Sequence, residues 1–203
     1  EGVPVVRSDH EQGGRLIARQ LIDSGARHVV LVGGPRSQFA EATTFPTIRY
    51  HLTVERMLAD AGIACDYVEA GIVADICAHE ATARAIFERY SDVDAIVGSD
   101  LVASVALQEA LRRGISVPRD LQIIAYDGTF MAETAGMRLT AVRQDFPAVA
   151  AALASRMDSQ IAADNGTTSA AAAEGGNAVA ANGGQSTSED IISVTLIPGE
   201  TTR

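Results

Sequence analysis

Short apolar runs alternate with longer amphipathic stretches along this chain, and that alternation narrows the possible folds more than any other feature. Val29–Val32, Ala95–Val97 and Leu121–Tyr126 are continuous apolar strands. Val3–Val6, Asp66–Ala70, Leu139–Val142 and Ile191–Ile197 also read as strands. Between them lie helical patterns over Gln12–Ser24, Ile48–Ala61, Cys77–Tyr90, Leu101–Arg113 and Phe146–Ala162. In the first, Leu16, Ile17 and Leu21 share a face and Gly25 is the stop. Strands apolar throughout must be covered on both faces, so the fold class is α/β, a doubly wound parallel sheet with right-handed crossovers.

The 203 residues allow one large domain or two small ones with a substantial core. A formal net charge of -10 argues against these residues holding a nucleic-acid backbone. Cys65 and Cys77 are the only cysteines; they set no disulfide framework and no metal spacing, and read as reduced residues of a cytosolic protein. No apolar run is long enough to cross a bilayer. The first residue is Glu1 rather than Met, which suggests a fragment. Asp164–Asp190 is rich in Gly, Ala, Ser, Thr and Asn and reads as a flexible loop, with a short helix through Ala170–Glu174 as the rival.

In a wound α/β sheet ligands sit beyond the carboxyl ends of the strands. The residues there are Arg7, Ser8 and Asp9; Gly33-Gly34-Pro35; Ser99 and Asp100; Asp127; and Arg143, Gln144 and Asp145. No dinucleotide turn, P-loop or nucleophile elbow is present among them. His10, His28, His51 and His79 form no ligand pattern and read as solvated helix or loop residues. No catalytic set emerges. Asp127, Gln144 and Arg49 do have the carboxylate, amide and guanidinium groups that grip a polyhydroxylated molecule. Two plainer readings stand beside this one. Asp127-Gly128 is a common turn pair, and Asp100 suits the N-cap of the helix it precedes.

Two stretches, "RSDHEQGGRLIARQLIDSGARHVVLVGGP" and "SDLVASVALQEALRRGISVPRDLQIIAYDG" followed by "LTAVRQDF", resemble the effector-binding core of the LacI/GalR family of bacterial transcription regulators. The resemblance covers most of the chain outside Asp164–Asp190. It implies a periplasmic-binding-protein-like core of two subdomains joined by three crossovers, behind a DNA-binding headpiece. On that pattern residues 1–145 are the main part of the carboxyl-terminal subdomain. Residues 146–163 are a crossover helix of the amino-terminal one, 164–190 a loop, and 191–203 a returning strand and tail. The headpiece and most of the amino-terminal subdomain are expected to be missing.

Carried over residue by residue, the resemblance implies an effector site of Arg7, Arg49, Ser99, Asp100, Asp127, Gln144 and Phe146. The implied effector is a sugar or sugar phosphate, the implied macromolecular partners are operator DNA and a second copy, and the implied place is the cytoplasm. No cofactor, metal, catalysis or membrane contact is implied. A periplasmic-type sugar-binding protein is the alternative, and a small α/β enzyme a third reading. The chain departs from the family at Leu52 and Thr53, where a Gly and an aromatic are usual, at Ser99 in place of Asn, and at Gly199-Glu200. Phe146, Val149, Ala150, Leu153, Met157 and Ile161 form an apolar helical stripe. With a subdomain missing, that stripe must repack, pair with another chain or stay exposed.

Overall fold

Residues 5–37, 48–71, 75–173 and 189–203 are described by a computed structural model. They divide into two compact units, Glu1–Ser8 with Asp145–Ser193, and Asp9–Gln144 with Val194–Arg203. The chain passes between them after Ser8, after Gln144 and after Ser193.

The larger unit holds a six-stranded sheet in the order β3-β2-β4-β5-β6-β8. Its strands are β2 (His28–Gly33), β3 (Ala64–Glu69), β4 (Ala95–Ser99), β5 (Gln122–Asp127), β6 (Thr140–Gln144) and β8 (Val194–Ile197). All neighbours are parallel except β8, which runs antiparallel along β6 with Ala141 opposite Ile197. The helices are α1 (His10–Asp23), α2 (Ile48–Asp60), α3 (Ile76–Arg89), α4 (Asp100–Arg112) and the short α5 (Phe130–Thr134).

The period-2 alternation of side chains along each strand builds two cores. Val29 and Leu31 of β2, Ala95 and Val97 of β4, and Ile124 of β5 pack with Ile17 and Leu21 of α1 and Val54 and Leu58 of α2. Val30, Val32, Ile96, Ile123 and Ala125 face the other way, onto Ile86 of α3 and Val102, Ala103, Ala106 and Leu107 of α4. Each fully buried aliphatic contributes roughly 1.5–3 kcal/mol. Gly14 lets α1 approach α2, since a Cβ there would meet the Thr53 Cβ at 2.7 Å. The tail closes the sheet from beyond β8. The fully buried Thr201 hydroxyl donates to the Ile123 carbonyl at 2.6 Å and accepts from the Thr140 amide at 2.9 Å.

The smaller unit pairs β1 (Val5–Ser8) in parallel with β7 (Glu189–Ile192) and adds α6 (Phe146–Ala173). Arg156 of α6 is ion-paired to Asp190 of β7. Two expectations change here. The single strand over Ile191–Ile197 is two strands, one in each sheet, broken at Ser193. The helix opening at Phe146 continues to Ala173, into the stretch read as a loop, where Ala170–Ala173 supplies the strongest helix formers. The remainder of that stretch, 174–188, lies outside the described residues. Phe146, Leu153, Met157 and Ile161 of the stripe are all 50–56% exposed.

Leu31→Ala, at the centre of one core, should cost about 2–5 kcal/mol. Leu153→Ala should change stability by no more than about 0.5 kcal/mol. Urea denaturation of the two variants checks the contrast.

Candidate functional site

The carboxyl ends of β4, β5 and β6 lie side by side, with Ser99 level with Tyr126 and Asp127 level with Arg143. The residues that end these strands are therefore neighbours. Gln144 donates its amide to the Asp127 carboxylate at 2.7 Å. Asp127 holds a φ of 113°, a region costly for any residue with a side chain. Such strain amounts to about 1–3 kcal/mol and needs strong surroundings to persist.

Those surroundings come from Asp100. Its buried carboxylate accepts from the Gly128 amide at 3.1 Å, the Thr129 amide at 2.6 Å and the Thr129 hydroxyl at 2.7 Å. Gly128 has a φ of 64° and abuts the Arg143 backbone, so no side chain fits. Asp100 therefore clamps the turn that aims Asp127. It is not the cap of α4, contrary to the plain reading. Ser99 takes that position, accepting from the Val102 amide over a long 3.5 Å.

Arg49 sits in the first turn of α2 with Nη1 donating to Glu11 Oε1 at 2.8 Å. Its Nε is buried without a hydrogen-bond partner. The register of α2 is set by Tyr50, which stacks on Tyr126 at 3.9 Å and 6°. The Tyr126 hydroxyl in turn lies 2.6 Å from His10 Nδ1. This stack joins the helix bearing Arg49 to the strand ending in Asp127. At the departures from the family pattern, Leu52 is exposed, while Thr53 is buried against Gly14.

Two of the expected site residues belong to the smaller unit. Arg7 on β1 is ion-paired to Glu189 and donates to the Ser8 carbonyl at 3.1 Å. Phe146 opens α6 and is half exposed. The structure thus brings together Ser99, Asp100, Asp127 and Gln144, and links Arg49 to them through the tyrosine stack.

The sequence reasoning missed three participants. Glu11 lies two residues past Asp9, inside α1 rather than at a strand end. Thr129 follows the Asp-Gly pair and had no pattern of its own. Tyr50 carries no local signal of its stack on Tyr126, which is distant in sequence. The four histidines are also corrected: all are buried rather than solvated. His28 lies 3.0 Å from Asp92 and 2.9 Å from Asp66, and His51 is kept neutral by burial, its pKa pushed down to about 4. No cluster of metal-ligating side chains occurs among the described residues, and no helix there is long and apolar enough to cross a membrane.

Burial pushes the Asp127 carboxyl up to about 6; the Gln144 bond opposes the shift and the charge on Asp100 adds to it. An acid with a raised folded-state pKa binds more protons folded than unfolded. Its contribution to stability is therefore lost as pH rises from about 4 to about 6. Asp127→Asn should lack that fall, read as the difference between the two proteins' urea midpoints across this range. Asp100→Ala should cost about 3 kcal/mol, since it strands buried donors of the turn, a loss measurable in the same titration.

The sequence from 18 to 177 matches the family model described as a periplasmic binding protein-like domain. The chain is 33% identical over 130 residues to the ribose operon repressor of Bacillus subtilis (strain 168), a match covering 63% of this chain and 37% of that protein. It is 30% identical over 148 residues to the HTH-type transcriptional regulator CelR of Thermobifida fusca, over 71% of this chain and 41% of the relative. The solved complex of a transcriptional regulator CelR with cellobiose shares the fold, with a TM-score of 0.75 at 23% identity, over 98% of this chain and 54% of that one. The chain spans about two fifths of the length of the curated relatives it matches. Both relatives are named as regulators of transcription. This chain belongs to the periplasmic binding protein-like domain family.

Proposed function

We propose that this chain senses a small sugar effector within a cytoplasmic, dimeric repressor that binds operator DNA through a headpiece, and that it performs no catalysis. The observation that carries the reading is Asp127, a half-buried carboxylate held at a strained φ beside the Gln144 amide. Strain of this kind, at strand ends where wound α/β sheets bind ligands, suits a group positioned for a ligand. The names of the relatives point the same way, since they are a ribose operon repressor and a regulator seen with cellobiose.

In this reading Asp127 accepts two sugar hydroxyls and Arg49 and Gln144 hold others. Ser99 adds a short hydroxyl contact, and Asp100 fixes the turn. Bound effector favours one arrangement of the regulator and so changes its affinity for the operator. Asp127→Ala in the full-length regulator should weaken effector binding by at least about 30-fold, roughly 2 kcal/mol. It should also make operator release insensitive to effector. Calorimetry and operator gel shifts with and without sugar test this, and an unchanged affinity would refute the assignment.

A further inference from the structure

The charges at the carboxyl rim are unequally matched, and the mismatch selects the ligand. Among the described residues of the larger unit, three guanidinium groups toward this end of the sheet each have a carboxylate on them. Arg49 is bound to Glu11 at 2.8 Å. Arg143 is bound to Glu133 at 2.7 Å and donates to the Gly128 carbonyl at 3.1 Å. Arg36, which closes over the Tyr67 ring past the end of β2, is bound to Glu55.

The carboxylates are not matched in return. Asp127 receives the Gln144 amide, and among the described residues no cation forms an ion pair with it. The charge that acts on it is a like charge, that of Asp100. With its amide nitrogen turned onto Asp127, Gln144 has its carbonyl left to offer. The rim thus presents acceptor oxygens, and the guanidinium charges of Arg49 and Arg143 beside it are offset by carboxylates.

Resting on the sensor reading above, we infer that the effector is an uncharged, hydroxyl-rich molecule, and that the site discriminates against sugar phosphates and sugar acids. A hydroxyl meets Asp127 as a donor and brings no charge of its own. A phosphate or carboxylate there faces an unneutralised carboxylate in a half-buried place, where repulsion is weakly screened. Arg49 and Arg143 each already hold a carboxylate, so the charge of either is offset before an anion arrives. Discrimination therefore comes from repulsion as well as from attraction.

The test uses the full-length regulator and matched probe pairs at pH 7.5: D-ribose with ribose 5-phosphate, and cellobiose with its phosphate ester. Calorimetry should show an uncharged member binding and its phosphate ester at least about tenfold weaker, 1.4 kcal/mol. Asp127→Asn should narrow that gap to within about threefold, through tighter binding of the ester as well as weaker binding of the sugar. An ester that binds as tightly as its parent sugar, or more tightly, overturns the inference and leaves the sensor reading standing. Binding by no member of either pair counts against both. A gap unchanged in Asp127→Asn, in a variant whose melting temperature shows it folded, also overturns the inference, because the repulsion would then not come from Asp127.

Discussion

Burial of β2, β4 and β5 on both faces is the constraint from which the rest of this structure follows. Val29, Val30, Leu31, Ala95, Ile96, Val97, Ile123 and Ile124 are excluded from water, so none of them can carry chemistry. Polar function is pushed to the places where a strand stops and its backbone turns. Asp127 is such a place. The last residue of β5 leaves the sheet at a conformation that local sequence disfavours, and a buried carboxylate from the neighbouring helix holds it there.

Much of the larger unit was legible because it rests on short-range patterns. Leu121–Tyr126 is apolar enough to be a strand in any context, and Gly25, Gly62 and Gly114 each mark a helix end with positive φ. What escaped was decided over long distances. Nothing between Glu189 and Ile197 tells which half pairs with β1 and which turns back along β6; partners far away in sequence settle it. Phe130–Thr134 is too short for a helical stripe to show. His10 and His28 look like surface residues until Tyr126, Asp66 and Asp92 are brought beside them.

The same distinction runs through the site. Asp127 and Gln144 were visible as residue types at strand ends, and the family pattern singled them out. The role of Asp100 was not visible, because it depends on the lateral neighbour of β4 being β5 rather than on anything near Asp100 in the chain. Glu11 matters only because α1 packs close to α2 through Gly14 and Thr53. Sequence identifies the groups that can touch a ligand more readily than the groups that hold them in place.

The three chain passages between the units have a consequence for genetic dissection. Neither unit is a contiguous stretch, so nested deletions report on the wrong piece. A stop codon placed after α6 nominally trims the smaller unit. It would also remove β8 and Thr201, uncovering the edge of β6 and the amide of Thr140 in the larger one. Loss of response in such a truncation would reflect a dismantled sheet margin as well as the missing strand β7, and no circular permutation makes both units contiguous, because their four segments alternate around the closed chain.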